Sequence, residues 1–383
     1  MRQPEMSSGC DDDCLTSSKT RKLKTAARRA GGRAGDGGKA IGSRGGFSRE
    51  RHVALMEMMA EELPGEYATQ EVNRLTLAYF ALSSLSILRA LHRVDKDQVV
   101  NWVLSFQSHP RKNSDWDSGP FYGFYGSRTS QFSADENEIV YPIGGHLAST
   151  YCALAILKMV GYDLSNINSE ALLISMRRLQ QHDGSFMPIH FGAETDLRFM
   201  YCAAAISSML NDWSGMDKEK VKEYILKCQS YDGGFGLVPG SESHGGATYC
   251  AVAALKLMGF IYTDISSAKI EHSTLIDVPL LVEWSLRRQA EDGGFQGRLN
   301  KPSDTCYAFW VGGVLTMLGA YHLLDHGALR RFLLSCQSPH GGFTKFPRER
   351  IPDLYHTYYG FAALSLSGEQ GLDPLCVELG ITM

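Results

Sequence analysis

The sequence predicts an all-α protein, an α/α toroid of six helical hairpins in two concentric layers around a central cavity. Three observations carry that expectation. The motif Gln-x-x-(Asp/His)-Gly-(Gly/Ser)-Phe occurs four times, with glutamines at 180, 229, 289 and 337, spaced 49, 60 and 48 residues apart. Such a period marks a repeated supersecondary unit. Each copy follows a segment with apolar residues at three- and four-residue spacing, such as Val221, Tyr224, Ile225 and Cys228, and precedes a more apolar, alanine-rich one. No run alternates with period two for long enough to make a sheet.

In chain order, helices are expected at about 48–62 and 72–91, then a run through Trp102 that ends at a degenerate repeat beginning at Gln107. The later repeats each add an amphipathic helix and an apolar one. The apolar helices begin near Thr150-Tyr151-Cys152, Tyr201-Cys202, Thr248-Tyr249-Cys250, Cys306-Tyr307 and His356-Thr357-Tyr358. That makes about twelve helices in six pairs, the apolar member of each pair inside. The repeated glycines are expected to stop the amphipathic helices, because glycine tolerates the left-handed backbone of a helix end.

Apolar residues make up 44% and charged residues 21%, the balance of a globular chain, and no run is long and apolar enough to span a membrane. Residues 1–46 hold ten Lys/Arg and five Asp/Glu and almost no large apolar residue, so this segment is expected to be a disordered basic tail. A transit peptide, a nuclear signal, an anionic-surface tether and a plain solvated tail all fit it. Residues 47–383 then form one α/α-toroid domain with a net charge of −9, which argues against nucleic-acid binding. The nine cysteines form no C-x-x-C pair in the body and read as free thiols of a reducing, cytoplasmic compartment.

The polar residues that do not suit an apolar inner helix sit at its start: His146, Arg198, His244, Asp304 with Cys306, and His356. One such residue is ordinarily a cap, but five at equivalent places of successive repeats converge on one rim. Asp304, Cys306 and His356 are three ligand types that suit zinc, and three protein ligands leave a fourth position open. Residues two apart do not share a helix face, so Asp304 must lie at or before the N-cap. Arg298 and Lys301 precede it, and with His244 and the Tyr307 hydroxyl they suit a polyanion such as a diphosphate. The inner helices are rich in aromatics, which fits a cavity for a long isoprenoid.

At Glu242-Ser-His-Gly-Gly-Ala-Thr-Tyr-Cys250, Gly297-Arg-Leu-Asn-Lys301, Asp304-Thr-Cys-Tyr307 and Asp353-Leu-Tyr-His356 the chain resembles the β subunit of protein prenyltransferases, over roughly residues 48–380. The resemblance is closest to the type I geranylgeranyl branch, plant-like in character. It implies that Asp304, Cys306 and His356 hold one Zn2+, whose open position takes the cysteine thiol of a protein substrate. It also implies that His244, Arg298, Lys301 and Tyr307 bind the diphosphate, that Tyr151, Tyr201, Cys250 and Trp310 line the isoprenoid tunnel, and that His146, Glu194 and Arg198 orient the peptide. Thr76 falls where farnesyl enzymes carry a tunnel-blocking tryptophan, and Lys345 where they carry a Mg2+-binding aspartate. A C20 donor, geranylgeranyl diphosphate, without a need for Mg2+ follows from those two positions. The implied partners are an α subunit and proteins ending in a CaaX motif with Leu or Phe last, small GTPases among them. Tyr355 departs from the type I pattern and matches the farnesyl one. A farnesyltransferase β subunit is therefore the nearest rival, and a non-catalytic toroid scaffold the rival from another class. Triterpene cyclases need an Asp-x-Asp-Asp motif that the body lacks, and a glycosidase needs paired carboxylates.

Overall fold

The computed structural model describes residues 46–110, 120–130, 144–190, 192–261 and 275–383. The expected tail lies outside them, Gly46 excepted. Among the described residues there are twelve α-helices. The odd-numbered ones are α1 (Arg49–Glu61), α3 (Lys96–Leu104), α5 (Ser169–Arg177), α7 (Lys218–Lys227), α9 (Val278–Leu286) and α11 (His326–Ser335). The even-numbered ones are α2 (Arg74–Ile87), α4 (Leu147–Met159), α6 (Leu197–Leu210), α8 (Gly245–Leu257), α10 (Tyr307–Met317) and α12 (Leu354–Leu366).

Composition sorts the two sets. Helix α8 buries Gly245 and every residue from Ala247 to Leu255, so it has no solvent face. Helix α7 buries only Val221, Tyr224 and Ile225, a single stripe. Each even helix packs on the next even one, and α12 packs back on α2. The even helices therefore form a closed inner ring, as the fold expectation required. A two-residue antiparallel pair, Leu375–Cys376 with Ile381–Thr382, is the one element of sheet among the described residues.

The repeat motif is what joins the hairpins. Gln180 Nε2 donates to the carbonyl of Asp217 at 3.1 Å and its Oε1 accepts from the Asp217 N–H at 2.8 Å. Asp217 is the N-cap of the next outer helix, α7. Gln289 grips Asp325, the cap of α11, in the same two-handed way, and Gln107 reaches the carbonyl of Asn168, the cap of α5. The glycines are not helix stops. Helix α5 ends at Arg177, and Gly184 lies beyond it at φ +97°, where a Cβ would fall 2.1 Å from the Lys220 carbonyl oxygen. Glycine is needed there because the first turn of the neighbouring helix comes that close.

The last clamp shuts the ring. Gln337 accepts from the N–H of Ser48, the α1 cap, and donates to the Gly46 carbonyl. The buried His52 of α1 joins it. Its Nδ1 accepts from Gly342 N–H at 2.8 Å, so Nε2 carries the proton and donates to Gln337 Oε1 at 2.9 Å. The imidazole stacks between Phe47 and Phe343, and burial lowers its pKa to about 4, keeping it neutral. Gln337→Leu removes the shared partner of Ser48, Gly46 and His52 at nearly constant volume. It is expected to destabilise the protein by about 2–3 kcal/mol, read as a lower thermal-unfolding midpoint.

Candidate active site at the rim of the toroid

The starts of the inner helices meet on one rim. Helix α4 is capped by His146, whose Nδ1 accepts from Ala148 N–H at 3.1 Å, and α8 by His244, whose Nδ1 accepts from Gly246 N–H at 3.0 Å. Aspartates cap α6 and α12: Asp196 accepts from Arg198 N–H and Asp353 from His356 N–H. Asp304 stands two residues ahead of the Cys306 cap and accepts its N–H at 2.9 Å, the placement expected from the two-residue spacing. Capping and chemistry are thus not rivals here. The histidines cap with one ring nitrogen and keep the other for the rim. Arg198 and His356 lie inside the first turn, two and three residues past caps that the sequence reading passed over.

Asp304, Cys306 and His356 come together, each offering a ligand atom within 4.8 Å of the others. His356 Nε2 is 3.4 Å from Asp304 Oδ1, while ligands of one tetrahedral zinc sit roughly 3.3–3.8 Å apart. His356 Nδ1 binds Asp353 Oδ2 at 2.7 Å, which aims Nε2 at the cluster in the carboxylate–histidine arrangement that metal sites use. The donor set, its spacing and this support fit a divalent metal. Without one the cluster holds protons. Burial pushes the Cys306 thiol well above its ordinary value, the Asp304 carboxylate adding to the effect. Burial works to lower His356, but its hydrogen bonds to Asp304 and Asp353 prevail and bring it to about 9. Asp304 is likewise disfavoured as an anion by burial, yet the His356 contact holds its carboxyl below its usual pKa.

Beside the cluster, His244 Nε2 lies 2.9 Å from the Tyr307 hydroxyl. Because Nδ1 accepts backbone N–H groups, Nε2 carries the hydrogen and donates, so the Tyr307 oxygen accepts. Burial, then the charges of Arg298 and Arg198, lower His244 to about 4; burial and Arg198 do the same to His146. Both imidazoles are neutral donors at neutral pH. Arg298 and Lys301 are exposed, and Arg298 Nη1 lies 3.5 Å from Glu242. Lys345 is half-buried over the Phe346 ring, and its carbonyl accepts from Thr305 N–H at 3.1 Å, pinning its loop to the start of α10. Its charge favours the Cys306 thiolate. The Arg198 guanidinium is clamped by Asp196, with Nη2–Oδ2 at 2.6 Å. Glu194 is exposed.

Below the rim, Tyr151, Tyr201 and Cys250 are buried on α4, α6 and α8. Thr76, half-buried on α2, accepts from Cys152 Sγ at 3.7 Å. Trp310 packs on Tyr249 and Tyr359 and donates Nε1–H to the Tyr355 hydroxyl at 3.2 Å. Sequence reasoning missed the roles of Asp353, Asp196 and Glu242. The signal for the first two was an aspartate two or three residues ahead of a functional side chain at a helix start.

A family model described as the prenyltransferase alpha-alpha toroid domain matches residues 47–381. The chain is 63% identical to the geranylgeranyl transferase type-1 subunit beta of Arabidopsis thaliana, over 88% of this chain and 89% of that one. It is 34% identical to the subunit of the same name from Dictyostelium discoideum, over 83% and 90%. Among solved structures, a Candida albicans protein geranylgeranyltransferase-I complexed with GGPP aligns with a TM-score of 0.74 at 24% identity, over 88% of this chain and 96% of that one, a likeness of fold.

Two outcomes follow from the cluster. Asp353→Asn leaves a capping oxygen but removes the charge behind His356, so metal affinity falls about 10- to 100-fold in a chelator competition. At pH 7–8 both Cys306 and His356 are protonated in the free protein, so binding one divalent ion releases about two protons, measurable by calorimetry in buffers of different ionisation heat. Affinity then weakens as pH falls.

Proposed function

Since the chain belongs to the prenyltransferase alpha-alpha toroid family, we propose that it is the catalytic β subunit of a protein geranylgeranyltransferase type I. The reaction transfers a C20 group from geranylgeranyl diphosphate to the cysteine of a CaaX protein ending in Leu or Phe, forming a thioether and releasing diphosphate. The observation that carries the reading is the buried Asp304–Cys306–His356 cluster beside a neutral His244–Tyr307 donor pair, at the mouth of a ring of apolar helices. A cytoplasmic heterodimer with an α subunit completes the proposal, with small GTPases as substrates.

Asp304, Cys306 and His356 would hold Zn2+, which when bound supplies the charge that keeps a substrate thiol ionised at neutral pH. The remaining work falls to this chain. Tyr307, backed by His244, donates a hydrogen bond to the diphosphate oxygens, and Arg298 and Lys301 meet the charge that grows on the leaving group. Lys345 adds an ammonium where a divalent metal would otherwise be needed. Arg198, held by Asp196, and His146 present a cation and a neutral donor to the peptide's C-terminal end. The inner aromatics keep water from the hydrocarbon.

Thr76 and Lys345 favour this reading over a farnesyl one. Tyr355, exposed on the rim, supports some overlap in the last residue of the substrate. The test is co-expression with an α subunit, zinc analysis, and transfer from C15 and C20 diphosphates with Mg2+ omitted. Equimolar zinc and preferred C20 transfer are expected; absence of both leaves the scaffold reading. Thr76→Trp fills the tunnel end and should lower the C20:C15 ratio of kcat/KM by at least about tenfold.

A further inference from the structure

The residue ahead of each repeat glutamine is buried, and in four copies it is apolar: Phe106, Leu179, Cys228 and Cys336. In the remaining copy it is Arg288, which follows helix α9 and is only 6% exposed. Its guanidinium lies over the Trp284 ring, 5.2 Å from the centroid, and its Nε finds no hydrogen-bond partner among the described residues. A buried cation without an ion pair costs free energy, and a stacked indole offsets only part of that. Packing alone would be served better by the leucine or cysteine of the other copies.

Two carboxylates reach Arg288 through their charge. Burial lowers its pKa, while Asp232 and Glu242 act to raise it. Asp232 is already committed. Its Oδ1 accepts from Gly234 N–H at 3.2 Å and from the Ser243 hydroxyl, as Asp292 accepts from Gly294 and Ser303 in the next copy. Glu242 is less firmly held. It stands two residues ahead of the His244 cap, and its ion-pair partner is Arg298, with Oε2 and Nη1 3.5 Å apart. The Arg298 and Glu242 side chains are 44% and 58% exposed, so water weakens the pair and either side chain can leave it. A diphosphate that claims Arg298 must displace this carboxylate, which then needs a second cation.

We propose that Glu242 is an exchangeable counterion, resting on Arg298 before diphosphate binds and passing to Arg288 when diphosphate takes Arg298. Arg288 is then a positioning residue that acts on the diphosphate through Glu242. Return of the carboxylate to Arg298 after transfer helps to expel the diphosphate released. This rests on the prenyltransferase reading above.

The test measures binding of inorganic diphosphate to the complex with its α subunit, together with inhibition of transfer by it. Glu242→Gln frees Arg298 and should tighten diphosphate binding about threefold, with matching stronger inhibition. Arg288→Met leaves the carboxylate on Arg298 and should weaken binding about threefold. The double variant should bind like Glu242→Gln alone, because Arg288 then has no carboxylate to receive. If Arg288→Met weakens binding as much in the Glu242→Gln background, it acts on the anion directly and the exchange is overturned. Glu242→Gln alters an exposed side chain, so unchanged or weaker binding in that variant overturns the exchange even where Arg288→Met does not assemble. Failure of the unaltered complex to bind either inorganic or geranylgeranyl diphosphate instead overturns the prenyltransferase reading.

Discussion

The architecture depends on a side-chain amide that Gln180 and Gln289 use in the same way, each on the cap of the outer helix that follows. A glutamine that bonds both the N–H and the carbonyl of a cap residue fixes the height and direction of the helix that follows. The same loops are tied inward as well. The N–H groups of Phe124, Phe235 and Phe343 are taken by the hydroxyls of Thr150, Thr248 and Thr357, each in the first turn of an inner helix. One loop therefore sets outer and inner helices together. That is why the inner helices start level, and why side chains far apart in sequence can share a site at their ends.

The level rim has an electrostatic consequence. Inner-helix N-termini already favour negative charge through their unpaired N–H groups and dipoles. Permanent cations from Arg198, Arg298, Lys301 and Lys345 add to that. The two histidines add none near neutrality, since burial and these same guanidinium groups hold them near pKa 4. The rim's attraction for an anion thus stays constant across physiological pH. Cys306 and His356, the two protonated members of the cluster, are where a bound metal ion would take the place of protons.

Much of this was legible in the sequence because a clamp repeated is a motif repeated. The glutamines, glycines and phenylalanines had to recur, and with them the helix count and the place where polar side chains interrupt an apolar helix. The meaning of the glycines was not legible. Their need for φ above zero looks the same whether it ends a helix or admits a neighbour, and only the closeness of Lys220 or Arg51 decides. That the ring closes was expected, but the contacts that close it were hidden because Ser48 and His52 belong to no repeat. Asp353 and Asp196 stood in plain view beside His356 and Arg198, but a capping carboxylate is so ordinary that its second task, holding the functional side chain, carries no mark of its own.

Joining α1 to the loop of Gln337 means that the first hairpin cannot find its final neighbour until nearly three hundred residues have been made. Until then the growing chain is an open arc whose inner helices, apolar on every side, face water along the unfinished edge. Such contacts between distant parts of a chain form slowly, and an exposed apolar edge invites association with other chains. The nascent arc is therefore open to association with other chains for as long as synthesis of the remaining hairpins takes.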